Sequence, residues 1–148
     1  MRVDVTTSIL IARPRHAVFA YAGDLDRTAS WYRNITSVEW LTPKPLEVGS
    51  RVTFTAHFLG RQLTYTYEVR ALVPDERLVM STQEGPFPME TTYLWEDGAD
   101  DATLMTLRNR GEPSGFANVA GPVMVRAMRR ANRKDLEQVK RVIEAEAT

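Results

Sequence analysis

Polar and apolar residues alternate at the head of the chain. Val3, Val5, Thr7, Ile9 and Ile11 fall on one face, and Arg2, Asp4, Thr6 and Ser8 on the other. Period two with a polar partner face predicts a half-buried strand over 3–12. Pro14 suits the first turn of a helix, where no N–H partner is needed. The helix it starts carries Val18, Phe19 and Ala22 at helical spacing through Ala22. Gly23 and Asp24 interrupt it, and Asp26 is placed to cap a second short helix through Trp31 and Tyr32.

From Ile35 the period returns to two. Strands are predicted over 35–42, 50–59, 62–73, 76–83, 88–96 and 102–110. Turn chemistry separates them: Thr42-Pro43-Lys44-Pro45 with Val48-Gly49-Ser50, Leu59-Gly60-Arg61, Pro74-Asp75-Glu76, Gly85-Pro86-Phe87-Pro88 and Asp97-Gly98-Ala99-Asp100. Connections this short force antiparallel neighbours. Parity assigns Leu63, Tyr65, Tyr67 and Val69 to the apolar face, with Val52, Phe54, Ala56 and Phe58, then Met89, Thr91, Tyr93 and Trp95, then Met105, Leu107 and Asn109.

The segment GPVMVRAMRRANRKDLEQVKRVIE, from Gly121 to Glu144, has helical period. At ~100° per residue, Met124, Val125, Met128, Leu136, Val139, Val142 and Ile143 share one arc. Arg126, Arg129, Arg130, Arg133, Glu137, Lys140 and Arg141 lie opposite. Pro122 either bends this helix or marks its start. The apolar arc needs a partner, and only the apolar face of the sheet is large enough. The expected fold is therefore α+β, a curved antiparallel sheet of about seven strands around a long C-terminal helix, with two short helices between strands 1 and 2. A curled sheet closes poorly on one helix, so a cavity is expected between them.

Composition narrows the function classes. The 148 residues suit a single domain over 1–148. Lys plus Arg and Asp plus Glu both number 19. That balance gives no field to attract a polyanion over the whole surface, so no nucleic-acid partner is expected. There is no cysteine, which excludes disulfides, thiolate catalysis and Cys-based metal centres. No segment has the apolar length of a signal peptide or a membrane span. A cytoplasmic protein with no stable membrane insertion is expected, as a monomer or homodimer.

The order of elements carries a family resemblance. ARPRHAVFAYAGDLDRTASWY, YEVRALVPDERL, GPFPMETTYLWE and DLEQVKRVIE, with the strands between them, resemble the polyketide cyclase/dehydrase and lipid-transport superfamily. These are the START-like (SRPBCC) helix-grip proteins. The resemblance covers essentially the whole chain and reports fold more than function. It implies a deep hydrophobic cavity for a lipid, sterol, polyketide or related molecule. It carries over no catalytic residue.

The candidate chemistry is sparse. His16 follows Pro14, and His57 falls on the water face. No spacing of His and carboxylates calls for a metal, and no cofactor is expected. Asp97, Asp100 and Asp101 crowd one turn without the bidentate Glu of a calcium loop, so a polar hairpin turn is expected. The run RAMRRANRK lies on the outward arc, where a solvated face is the default and contact with an anionic membrane the alternative. Asn132 and Asp135 fall inside the apolar arc. Either they bond to backbone groups or stand at the arc's edge in water, or Asn132 orients the polar end of a ligand. The expected cavity lining is Phe54, Phe58, Tyr65, Tyr67, Tyr93, Met105, Asn109, Met124, Met128 and Asn132. Phe87 and Phe116, in Pro- and Gly-flanked loops, either gate the mouth or plug the core.

Three functions fit these residues. The first is binding of a small hydrophobic molecule, which needs only the cavity. The second is a polyketide cyclase, aromatase or dehydratase that works by positioning, with Tyr65, Tyr67, Tyr93 and Asn109 as candidates. The third is an interaction module whose cavity is filled by its own side chains. The absence of a catalytic constellation favours the first.

Overall fold

The structure is a computed structural model that describes residues 2–85, 87–113 and 120–146. Among these, seven strands form one antiparallel sheet. They are β1 (Val3–Ile11), β2 (Ile35–Trp40), β3 (Arg51–Phe58), β4 (Arg61–Val73), β5 (Arg77–Glu84), β6 (Met89–Asp97) and β7 (Thr103–Gly111). Their spatial order is β1-β7-β6-β5-β4-β3-β2. Each short connection joins neighbours, and only β1 crosses over, to pair with β7. The two short helices, α1 (Arg15–Ala22) and α2 (Thr28–Trp31), span that crossover, and α3 (Gly121–Ala145) closes the described chain.

Local sequence explains most of these elements. In β1, Val3, Val5 and Ile11 are buried while Asp4, Thr6, Ser8 and Leu10 are exposed. The β3–β4 hairpin turns on Leu59 and Gly60, both with positive φ, 49° and 76°. That pair of conformations matches the twist of two adjacent strands, and glycine adopts its half without strain. Pro122 lies in the first turn of α3, so it marks the start of the helix rather than a bend.

One cap differs from expectation. Asp24, not Asp26, caps the turn before α2, its carboxylate accepting from the Asp26 N–H at 3.0 Å. Asp26 is turned outward instead, accepting from Trp40 Nε1 at 2.8 Å and from Lys44. A cap depends on which carboxylate the chain aims at the free N–H groups, and here a one-turn 3-10 segment (Leu25–Arg27) precedes the helix and moves that position back.

Parity holds along β4 as far as Val69. There the β4–β5 register shifts, so that Val69 faces Met80 and Ala71 faces Val79. The extra residue, Arg70, reverses the faces beyond it, and Leu72 packs against the core. A second shift lies between Thr66 and Tyr67, and a third in β2 between Ile35 and Ser37. Bulges sharpen the local twist of this half of the sheet.

The helix is fastened to β1. The Glu144 carboxylate accepts from the Ala12 N–H at 2.7 Å and from Lys140 at 2.6 Å. Lys140 also donates to the Leu10 carbonyl at 2.7 Å, and Arg13 to the Glu144 carbonyl at 2.5 Å. Above this clamp Leu136, Val139 and Ile143 are buried with Ile11, Trp95, Met105 and Leu107. α1 seals the same region, with Phe19 edge-on to Trp95 at 5.0 Å between ring centroids. No described helix is long and apolar enough to cross a membrane.

Candidate functional site

Away from the clamp the sheet and helix do not close. A partly open cavity of about 160 Å³ lies between them. Its floor is the apolar face of β3, β4 and β6, and its roof is the N-terminal half of α3. The expected lining Phe54, Phe58, Tyr65, Tyr67, Tyr93, Asn109, Met124, Met128 and Asn132 all borders this space.

Met105 does not. It faces inward as its parity requires, but it is fully buried between its ladder partners Ile9 and Trp95 at the packed end. Parity selects a face of the sheet and says nothing about position along it, which is why the pattern groups Met105 with the others. Phe87 is buried and forms part of the wall, with its ring 5.6 Å from that of Tyr65. Phe116 lies outside the described residues.

The aromatic walls hold the cavity open. Tyr65 and Tyr67 lie 5.9 Å apart, and Phe54 meets Tyr67 edge-on at 5.7 Å. Stiff rings packed edge-on and tilted along one face fill a neighbouring void less readily than aliphatic chains. Most remaining walls are also apolar, including Leu63, Met80, Met89 and Ala131. None of the described lining residues is Lys or Arg.

Polar groups gather at the end nearest α2. The hydroxyls of Tyr32 and Tyr93 are hydrogen-bonded to each other. Asp135, on α3, accepts from the Arg33 N–H at 3.1 Å through one carboxylate oxygen. Burial pushes its pKa up to about 7, against the opposing pull of that N–H and the Arg33 charge. Beside it Asn132 is buried, and its Nδ2 has no partner among the described residues. The buried Thr28 hydroxyl is likewise unpartnered and also borders the cavity. On the sheet side Thr91 donates to Asn109 Oδ1 at 2.8 Å and stands 3.5 Å from the Tyr67 hydroxyl.

These environments divide the groups by chemistry. Burial raises the pKa of Tyr32, Tyr65, Tyr67 and Tyr93, and the nearby Asp135 pushes Tyr32 and Tyr93 further the same way. All four phenols therefore stay protonated at neutral pH and do not serve as bases; in the Tyr32–Tyr93 bond one hydroxyl donates and the other accepts. Asp135 is balanced between its two forms near neutral pH, the range in which a carboxyl group exchanges protons most usefully.

The histidines stand outside this chemistry. His16 is exposed and lies 3.5 Å from Asp75. His57 is exposed at the cavity rim, its backbone N–H donating to the Asn34 carbonyl. Asp97 pairs with Arg15 at 2.8 Å, and Asp100 and Asp101 form a single 3-10 turn. Among the described residues no group of His, Cys, Asp or Glu could hold a metal ion. The sequence pattern singles out Asn132 and Asp135 as polar residues on the apolar arc. It gives no sign of Tyr32, the C-cap of α2, whose hydroxyl meets that of Tyr93 at the cavity.

A curved sheet gripping a long helix over a cavity defines the helix-grip class. The family model for polyketide cyclase/dehydrase and lipid transport matches residues 2–144, and the chain belongs to that family. Among solved structures it is similar to a protein from Thermus thermophilus, with a TM-score of 0.84 and 17% identity over 99% of this chain and 100% of that one. It is also similar to a START superfamily protein from Mycobacterium smegmatis, with a TM-score of 0.81 and 14% identity over 95% and 97%. The Zhui aromatase/cyclase from Streptomyces sp. R1128 has a TM-score of 0.79 and 16% identity over 97% and 94%. At these identities the likeness is one of fold. No curated protein matches the sequence.

Proposed function

We propose that the protein binds a small, neutral, oxygen-bearing hydrophobic molecule in the cavity between the sheet and α3. One observation carries this reading: an apolar cavity ends in a polar pole where the buried Asn132 Nδ2 has no partner among the described residues. An orphaned buried amide costs stability unless something satisfies it, and a ligand acceptor would do so. Asp135 has a second carboxylate oxygen for a ligand donor. A carbonyl beside a hydroxyl, or a phenol, offers both.

Size and charge sharpen the choice. A void of this order holds about one aromatic ring, and it is smaller than the roughly 300–1,000 Å³ of drug-sized sites. A sterol therefore requires the walls to move. A fatty-acid carboxylate would meet Asp135 without a lining Lys or Arg to balance it. The same reading has the protein acting in the cytoplasm as a single domain, without a cofactor, as a monomer or homodimer.

A second reading is catalysis of the cyclase, aromatase or dehydratase type. The observation that favours it is Asp135, a carboxyl group poised near neutral pH beside the Tyr32–Tyr93 pair. In that case Tyr65, Tyr67, Tyr93 and Asn109 would position the substrate while Asp135 exchanged the proton.

Native mass spectrometry of freshly purified protein, set against the denatured mass, tests the first reading. A discrete adduct lost on denaturation is expected. The cavity-filling variant Ala131→Leu should lose that adduct while its stability stays within about 1 kcal/mol of the parent. An adduct that survives in the variant, or no adduct together with no thermal shift by phenols or hydroxyketones, would sink the cavity reading. Turnover of a supplied substrate that disappears in Asp135→Asn, with binding retained, would decide for the enzyme.

A further inference from the structure

The outer face of α3 carries charge that the fold does not use. Residues 121–134 contain four Arg and one Lys and no Asp or Glu, although the chain as a whole is neutral. Six surface arginines elsewhere, Arg2, Arg15, Arg27, Arg70, Arg108 and Arg110, each meet a carboxylate. None of Arg126, Arg129, Arg130, Arg133 and Lys134 is ion-paired among the described residues.

The arrangement works against the helix. Arg126, Arg129, Arg130, Arg133 and Lys134 repeat at i,i+3 and i,i+4, where like charges repel. They begin beyond the first turn of α3 and run to its middle. A surface that costs the fold something and satisfies nothing within it calls for an external anion.

We infer that this face of α3 docks on an anionic phospholipid surface. The cations cover about 12 Å of helix axis. They line a shallow groove with Pro122 and Val125, and Val123 beside it is 56% exposed. Glu137 closes the far end. Cations bordered by small exposed apolar residues suit a headgroup layer, which supplies counter-charge at any spacing. A stable protein interface needs a large anchor in its centre, and no aromatic residue lines this groove among the described residues. On the opposite side of the same turns Met124, Met128 and Asn132 face the cavity. Docking would therefore bring the roof of the cavity against the lipid.

Sedimentation with vesicles tests this. The full chain should bind phosphatidylcholine vesicles that contain phosphatidylglycerol, and not vesicles of phosphatidylcholine alone. Added salt should weaken the binding. Each cation near an anionic surface is worth about fivefold in partitioning, so R129Q/R130Q should bind about 25-fold more weakly. The control R51Q/R77Q removes equal charge from exposed sites on the sheet and should bind nearly as the parent. R129Q/R130Q relieves repulsion, so its thermal midpoint should not fall, which separates loss of docking from loss of fold. Equal weakening in both variants, or no binding of the parent to anionic vesicles at low salt, would overturn the inference. So would binding to an acidic polypeptide such as polyglutamate in the absence of any vesicle binding.

Discussion

The two halves of α3 rest on the same sheet and meet it in different ways. In the C-terminal half Leu136, Val139 and Ile143 share a closed core with Trp95 and Leu107. In the N-terminal half Met124 and Met128 join a smaller cluster with Leu63 and Phe87. The cavity lies on this side. The first half is drawn down by Glu144, Lys140 and Arg13 on the end of β1, and α1 fills the space beneath. The second is held off by tyrosine and phenylalanine rings. One inward face, apolar except for Asn132 and Asp135, thus serves stability at one end and leaves room for binding at the other.

The largest contrast should appear when each half is hollowed. Leu136→Ala opens a void in closely packed surroundings and should cost about 3–5 kcal/mol. Met128→Ala enlarges a space that already exists, and its cost should fall at the low end of such changes, about 2 kcal/mol. Urea unfolding measures both. Equal losses would mean that the two halves are packed alike.

Asp135 stands in the open half and should make stability depend on pH. Its folded pKa, about 7, lies above the value of an unfolded aspartate. Between those values the folded state holds a proton that the unfolded state has released. Stability should therefore fall as pH rises from about 4 to 7, by up to about 4 kcal/mol, and level off above that. Asp135→Asn should abolish this slope, match the parent near pH 4 and exceed it at pH 8. Melting scans across that range would show it, and an unchanged slope in the variant would remove Asp135 as its source. Glu144, in the closed half, acts in the opposite sense. The Ala12 N–H and Lys140 hold its pKa low, so its contribution is present above the ordinary glutamate pKa and lost as pH falls below it.

The smallest effect belongs to Asn132. Replacing it with Leu removes an unsatisfied amide and fills part of the cavity. The variant should gain about 1–2 kcal/mol while ligand uptake is lost. A loss of stability instead would show that the Asn132 amide is satisfied in the unliganded protein.

Much of this architecture was legible in the chain. Alternation in β1, β3 and β6 and the 3.6-residue period of α3 are local properties, written in which residues follow which. They placed the strands within a few residues, chose the inward face, and put Asn132 and Asp135 on the buried side of the helix. The short turns forced the antiparallel order. Local pattern also left Pro122 with two roles, and the structure chose the start of the helix.

Other features depend on where elements cross. Met105 and Tyr93 both face inward, but only Tyr93 borders the cavity, because the clamp on β1 decides which end of the sheet is filled. Tyr32 reaches Tyr93 across 61 residues of sequence, and no periodicity links them. The reversal of faces beyond Arg70 follows from pairing with β5, not from β4 itself. Sequence by itself determined the elements, their faces and the unbalanced charge on α3, because periodicity and composition are carried residue by residue. Only tertiary structure decided where the sheet and helix part, since a cavity is a property of the distance between elements.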